Sequence, residues 1–401
     1  MISDGVVVIG AGQAGFELAR ALRSAGYDEP IRLVSDESGL PYQRPPLSKG
    51  FLAGQVAAHD LLLADDRFFP DNRIEIVAGK AVNLELTGRR IVLADGRRLS
   101  FDHIVFATGA RNRLFKGVRA HSALHSIRTH ADAMRLGDRM RTRDDIAIVG
   151  AGFLGLEAAS TWALQGKNVI VLEAQDRVMA RGSSAAVSAF FASKLGALGV
   201  RLELGLQRLR LESAGPESVR MSWGGGTLDA DVVLTSIGVL PNTELAAAAG
   251  LPCDNGILVD EFLNVGEARN IFAIGDCARF PSRHFDGMTR LESVQNAVEQ
   301  AQTVAAAIAG ERRPYRSVPW FWTEQAGAVL QIVGDIRGDE AALIGEPADE
   351  EFSAFHFRCG ALIGAESVNM RRVHMRARRL IGNNENLSPS KVRELFAHES
   401  A

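Results

Sequence analysis

Three cysteines in 401 residues, Cys253, Cys277 and Cys359, stand far apart in the chain. Their spacing excludes a neighbouring dithiol that could pass electrons by disulfide exchange. An odd number of separated thiols also argues for a reducing, cytoplasmic compartment over a disulfide framework. Cys277, in Gly-Asp-Cys-Ala, is expected to be a small buried residue. No apolar run approaches the length of a membrane span, and the first predicted strand begins by Val6, so neither a membrane anchor nor a signal or transit peptide is expected. Charge is nearly balanced, with 45 Lys and Arg against 48 Asp and Glu, which leaves no global field for nucleic acid or membrane. None of the nine histidines lies in a serine or cysteine context that suggests a nucleophile, and no histidine–acid cluster has metal-ligand spacing. The side chains therefore supply no obvious reaction of their own, and the chemistry must come from something the chain binds.

Two glycine-rich fingerprints show what that is. Gly10-Ala-Gly12-Gln-Ala14-Gly15 and Gly150-Ala-Gly152-Phe153-Leu154-Gly155 each follow an apolar, β-branched run and open a segment of helical periodicity. That context gives GxGxxG its meaning. The first glycine permits a tight turn, the second lets backbone approach a diphosphate, and the third allows close helix–strand packing. Phosphate charge then rests on the free N–H groups and positive end of the helix. Each copy also has a carboxylate after the next strand for ribose hydroxyls: Asp36 after Ile31 to Ser35, and Glu173 after Val169 to Leu172. Glu173 favours NADH over NADPH by repelling a 2′-phosphate, whereas Arg177 nearby would suit one. The chain is expected to hold two dinucleotides at once.

The organisation follows from this duplication. At 401 residues the chain is long enough for two or three domains. The pattern predicts an α/β fold, with two Rossmann-like dinucleotide-binding domains and an α+β C-terminal domain. The first domain is discontinuous, covering 1–109 and 239–317, the second covers 110–238, and the third covers 318–401. Expected markers include a helix after Ser183, a strand near 200–204, a hairpin turn at Gly224-Gly225-Gly226, a strand from Ile271, and an alanine-rich helix from about Ser293 to Ala309.

Further motifs stand in order along the chain: Pro45-Pro46-Leu47-Ser48-Lys49, Ala107-Thr108-Gly109-Ala110, Gly238-Val-Leu-Pro241-Asn242, Gly275-Asp276-Cys-Ala and Pro319-Trp320-Phe-Trp322. With the fingerprints, they give the chain a nearly end-to-end resemblance to the FAD-dependent ferredoxin reductases of bacterial oxygenase systems. The resemblance implies a glutathione-reductase-like fold with FAD on the first fingerprint and NADH on the second. It implies that Gly10, Gly12, Ala14, Gly15 and Asp36 hold the ADP half of FAD, and that Arg44 and Lys49 approach its diphosphate and flavin. Val82, Ala107, Thr108, Gly109, Arg128, Asp276, Val294 and Trp322 match further FAD-lining positions. Gly150, Gly152, Phe153, Leu154, Gly155, Glu173 and Gly238 match the NADH site. Lys49, Glu157 and Trp322 match the reacting centre. There an ammonium would stabilise reduced flavin, with Glu157 near the nicotinamide and Lys49, and with Trp320 and Trp322 shielding the ring. One departure stands downstream, where Ala326-Gly327-Ala328 follows Gln325 in place of the family's aromatic.

The resemblance implies hydride transfer from NADH to FAD and single-electron transfer to a [2Fe-2S] ferredoxin serving a cytochrome P450 or a Rieske dioxygenase. An acidic ferredoxin calls for a basic docking face. The candidates are Arg312, Arg313 and Arg316, or Arg371, Arg372, Arg376, Arg378 and Arg379. Rival readings on the same scaffold are an NADH oxidase, a rubredoxin or quinone reductase, and a non-enzymatic NADH-sensing flavoprotein. A monomer or weak dimer is implied.

Overall fold

The computed structural model describes residues 3–115, 121–385 and 387–397. They form two compact units: 1–43 with 61–111 and 240–319, and 44–60 with 112–239 and 320–401. The three described cysteines are unpaired thiols. No helix among the described residues is long and apolar enough to cross a membrane.

In the first unit the fingerprint strand Val6–Ile9 is buried along its whole length. It lies at the centre of a five-stranded parallel sheet in the order Ile271–Ala273, His103–Phe106, Val6–Ile9, Ile31–Ser35, Ile74–Ala78. Burial on both faces explains why these strands read as continuous apolar runs. The fingerprint helix Gln13–Ser24 packs against the helix Val294–Ile308. The latter starts at a Ser293 cap that accepts the Asn296 N–H, so the alanine-rich run and its start are where the sequence places them. A three-stranded antiparallel sheet, Ala81–Glu85, Arg90–Leu93 and Arg98–Ser100, is inserted after Ile74–Ala78.

The second unit repeats the plan. Its parallel sheet runs Arg201–Glu203, Asn168–Leu172, Asp145–Val149, Val233–Thr235, Leu124–His125. Counted from the fingerprint strand, four strands hold equivalent places in the two sheets. The outer fifth strand comes from upstream in the second sheet and from far downstream in the first. The predicted hairpin joins Val219–Trp223 to Gly226–Ala230, and the helix after Ser183 is Ala185–Ala197.

The unit also contains a five-stranded antiparallel sheet, ordered Trp320–Gln325, Ala328–Gly334, Ala361–Val368, Glu351–Arg358, Glu340–Glu346, followed by the helices Arg371–Gly382 and Pro389–Phe396. Ala326 and Gly327 form its first hairpin turn at φ +51° and +73°. Two consecutive positive φ angles are what a two-residue type I′ turn demands, and a bulky aromatic fits that backbone poorly. The Ala326 N–H is held by Ser160 Oγ at 2.6 Å. The departure from the family pattern is thus a tight turn tied to the second fingerprint helix.

Residues 44–60, which the sequence reading grouped with the first domain, pack in the second unit. The cause is a buried polar junction at Glu157, described below.

Candidate functional site

The two fingerprints share one geometry. A Cβ on Gly10 would stand 2.2 Å from the Ala107 carbonyl oxygen, and one on Gly150 would stand 2.3 Å from that of Ser236. Both glycines have φ above +100°. Cβ atoms on Gly15 and Gly155 would meet the Gly10 and Gly150 carbonyl oxygens at 2.0 and 2.2 Å. Only hydrogen fits at these four places. Gly12 and Gly152 differ, since a Cβ on either would meet nothing within 4 Å. Both are extended N-caps that give their helices no side-chain cap. By contrast, Thr129, Ser184, Ser293 and Ser388 cap their own helices. Two helix starts therefore keep donor N–H groups beside open space, the arrangement a diphosphate needs. Each lies where the strand order reverses, between Val6–Ile9 and His103–Phe106 and between Asp145–Val149 and Val233–Thr235. Such a switch point is where ligands bind in doubly wound sheets.

Around the first turn, the structure gathers most of the residues singled out for FAD in that unit. Ala14 packs under the Gly275 turn, where an added Cβ would lie 3.1 Å from the Ala14 Cβ. That close approach sets Asp276 beside the fingerprint helix. Buried Gln300 accepts the Gly275 N–H at 2.7 Å, and Arg290 donates to the Asp276 carbonyl at 3.0 Å. Thr108 and Gly109 are clamped by Asn242: Thr108 Oγ1 donates to its carbonyl at 2.6 Å, its Nδ2 donates to the Thr108 carbonyl at 2.8 Å, and its N–H donates to the Gly109 carbonyl at 2.9 Å. Asn242 stood in a quoted motif without a role, and its role is to hold this loop.

Asp36 is exposed after Ile31–Ser35. Val82 is the extra residue of a β-bulge between Ala81 and Asn83, with half its surface open. Bulges re-aim side chains in this way. An apolar residue so displayed fits contact with a ligand ring. Val294 is the first residue of its helix and is half-buried. The open Gly12 cradle and the uncapped helix start fit the ADP portion of FAD.

In the second unit, Glu173 is oriented by backbone. Its Oε2 accepts the Ala151 N–H at 2.7 Å and its Oε1 accepts the Gln175 N–H at 2.8 Å. Arg177, the residue that would have suited a 2′-phosphate, is spent on carbonyls instead. It donates to Ser183 and Ala180 at 2.8 Å each. Phe153 meets Phe321 with ring centroids 4.7 Å apart and planes tilted by 48°, and Leu154 beside it is half-buried. Gly238 has φ +94°. The open Gly152 cradle and its uncapped helix start fit the diphosphate of a nicotinamide dinucleotide.

The same unit brings Lys49 and Glu157 together. Glu157, whose side chain is 7% exposed, forms an ion pair with Lys49 Nζ at 2.7 Å. It also accepts from Ser48 Oγ and Thr323 Oγ1 at 2.6 Å each. Thr161 Oγ1 donates to the Ser48 carbonyl. This buried carboxylate thus joins the Pro45–Ser48 turn, the second fingerprint helix and the strand Trp320–Gln325, and a charge so buried is retained only with such partners. Ser48 stood in the Pro45–Lys49 motif without a role, and Thr323, just past the tryptophan motif, had none, because neither hydroxyl shows a local pattern that points to a carboxylate 109 or 166 residues away. Arg44 donates to the Arg128 carbonyl at 2.5 Å. The Trp320 and Trp322 rings lie 5.4 Å apart at 32°, with Arg378 over Trp320 at 5.1 Å and His374 at 5.9 Å. Both tryptophans stay partly exposed.

Cys277 is fully buried, and burial pushes its thiol pKa up. Its Sγ lies against the Ile274 and Phe106 carbonyls, which suits a packed thiol with no redox role. Among the described residues no cluster of His, Cys, Asp or Glu could hold a metal ion.

The family model described as pyridine nucleotide-disulphide oxidoreductase matches residues 4–301, and the one described as reductase C-terminal matches 320–395. The chain is 42% identical over 391 residues to rhodocoxin reductase of Rhodococcus erythropolis, covering 96% of this chain and 91% of that one. Two solved structures match all of both chains. A ferredoxin reductase from Rhodopseudomonas palustris has TM-score 0.93 at 39% identity, and the covalent putidaredoxin reductase–putidaredoxin complex has TM-score 0.94 at 32% identity.

Proposed function

This chain belongs to the pyridine nucleotide-disulphide oxidoreductase family, and we infer that it is an NADH-dependent ferredoxin reductase of an oxygenase system. It is an oxidoreductase that uses FAD and NAD(P)H and passes electrons to a ferredoxin. The observation that carries this reading is the pair of uncapped, open fingerprint turns in a chain with no neighbouring dithiol. Two dinucleotides can be held, and electrons have no cysteine route onward. Bound FAD supplies the chemistry the side chains lack, accepting hydride and releasing electrons singly.

The chain's own residues bind, orient and tune. Gly12 and the first helix start would take the FAD diphosphate, and Asp36 the ribose. Val82, Thr108, Asp276 and Val294 would line the same cofactor. Lys49 would offer its ammonium to the reduced ring, where charge develops, and Glu157 would fix that ammonium in place. NADH is the donor in this reading. Glu173, oriented by the Ala151 and Gln175 N–H groups, would present its remaining lone pairs to ribose hydroxyls, and Arg177 is occupied by backbone carbonyls.

The partner is a [2Fe-2S] ferredoxin with an acidic face, docking on the helix Arg371–Gly382. That helix exposes Arg371, Arg372, Met375 and Arg379 together. Arg312 and Arg313 serve less well, because each is paired, with Asp260 and Glu311. A cytoplasmic location completes the proposal and rests on the unpaired thiols.

The test is anaerobic mixing of the purified flavoprotein with NADH, followed by a [2Fe-2S] ferredoxin, with both chromophores recorded. Flavin bleaching followed by ferredoxin reduction is expected. Bleaching without transfer to any ferredoxin would overturn the acceptor assignment and move the function to an oxidase, a rubredoxin or quinone reductase, or a signalling flavoprotein.

A further inference from the structure

Arg181 lies four residues beyond Arg177 and has a different fate. Arg177 is tied to the carbonyls of Ala180 and Ser183. Arg181 is exposed, and its guanidinium stands over Gly238, with Nη2 3.5 Å from where a Cβ on that glycine would be. Gly238 follows Ser236, whose carbonyl abuts Gly150 of the fingerprint turn. The arginine therefore sits at the rim of the second cradle.

Its side of that cradle can be read from strand order. The fingerprint strand Asp145–Val149 has Asn168–Leu172, leading to Glu173, on one flank and Val233–Thr235, leading to Gly238, on the other. Neighbouring strands lie about 4.8 Å apart, so Gly238 and Glu173 are separated by roughly two spacings, on the order of 10 Å. Glu173 marks the adenosine ribose. An arginine on the opposite flank is out of place for the 2′ position and in place for the groups beyond it, starting with the diphosphate. Gly238 contributes as well, since a side chain there would meet the guanidinium.

We propose that Arg181 is a binding residue for the diphosphate of the nicotinamide dinucleotide, supplementing the helix N–H groups with a mobile cation and leaving discrimination against the 2′-phosphate to Glu173. This inference rests on the assignment of the second fingerprint to NADH. An exposed guanidinium can form charge-assisted bonds to a phosphate when the ligand arrives and release them when it leaves. That behaviour suits a ligand that must exchange at every turnover.

The test measures equilibrium binding of ADP-ribose, which has the diphosphate and no nicotinamide, to the full-length FAD-loaded protein by calorimetry at two salt concentrations. Adenosine serves as the probe without phosphate. R181Q is expected to weaken ADP-ribose binding about tenfold, to flatten its salt dependence and to leave adenosine binding and the melting temperature unchanged, with R181K restoring part of the loss. Equal ADP-ribose binding by wild type and R181Q would overturn the proposal while leaving the NADH site intact. A larger loss for 2′-phospho-ADP-ribose than for ADP-ribose would also overturn it, by placing Arg181 at the 2′ position. Failure of the wild type itself to bind ADP-ribose would remove the dinucleotide reading on which the proposal stands.

Discussion

The two fingerprint turns are nearly the same object placed in different surroundings. Their glycines meet the same kinds of backbone atom at distances that agree within 0.2 Å, and both helices start without a side-chain cap. What differs is what surrounds each turn. The first helix is held inside its own unit against Val294–Ile308, under a second loop at Gly275–Asp276. The second helix carries Glu157 and Ser160, which hold Ser48, Lys49, Thr323 and Ala326. The acids differ too: Asp36 is exposed, whereas Glu173 is latched on two backbone N–H groups. A repeated backbone device offers two matching cradles, and it is the neighbours that set the two apart.

The strongest way to break this comparison is to fill one cradle at a time. Gly12→Val should yield a folded but colourless protein, because a side chain there enters the space a diphosphate requires. Gly152→Val should stay yellow and be bleached by dithionite but not by NADH. Flavin absorbance and stopped-flow reduction read both effects. The same phenotype from both variants would mean that the turns are not assigned one to each dinucleotide.

The outer glycines test the part the turns share. Gly10→Ala and Gly150→Ala each force a Cβ to within about 2.3 Å of a carbonyl oxygen at positive φ. Each should cost about 2–4 kcal/mol of stability, by similar amounts, in chemical denaturation. A large inequality would show that one turn relaxes where the other cannot.

How far the sequence reveals all this depends on the range of the interaction. The fingerprints, the acid after each second strand and the Ser293 helix start are local patterns, and the structure has them where the pattern puts them. The strands Trp320–Gln325 and Glu340–Glu346 were not anticipated. The first reads as an aromatic motif, and the second, Glu-Ala-Ala-Leu-Ile-Gly-Glu, lacks the β-branched alternation that marks a strand. The Glu157 junction was half legible. Its pairing with Lys49 follows from the family resemblance, whereas Ser48 and Thr323 lie 109 and 166 residues away from Glu157. No periodicity carries that information, and it is what places residues 44–60 in the second unit.

Substituting the acids sharpens the comparison further. Glu173→Gln presents an amide hydrogen pair to at least one of the N–H groups the carboxylate now accepts, so the Ala151–Gln175 latch loosens. NADH binding should weaken about tenfold and the preference over NADPH should shrink. Asp36→Asn, at an exposed carboxylate with no such latch, should change FAD retention less than twofold on dilution. If Asp36→Asn is the more damaging change, the first acid has a role the comparison does not give it.

A smaller effect is expected at the docking arginines. Arg372→Glu with Arg379→Glu should raise the KM for an acidic ferredoxin several-fold and flatten its salt dependence, leaving NADH reduction of the flavin unchanged. Arg312→Glu with Arg313→Glu, where partners already neutralise the charge, should do much less. Unchanged kinetics in the first pair would move the docking face off the helix Arg371–Gly382.

The smallest effect concerns pH and again separates the two units. In the second unit, burial and then Arg378 hold the pKa of His374 down to about 4, and burial followed by Arg139 and Arg135 does the same for His125. In the first unit His103 is also lowered by burial, but Asp102 opposes the shift. A histidine whose folded pKa lies below its unfolded value near 6.5 binds fewer protons folded than unfolded between those values. Its stabilising contribution is complete above pH 6.5 and is lost as pH falls toward 4. For His374, which is almost fully buried against Trp320, the loss is on the order of 2–3 kcal/mol across that window. The melting temperature should therefore fall between pH 7 and pH 4.5, and His374→Asn should lower it at pH 7 while making the fall shallower. A curve with the same slope in wild type and variant would mean that His374 takes up its proton without disturbing the tryptophan pair it packs against.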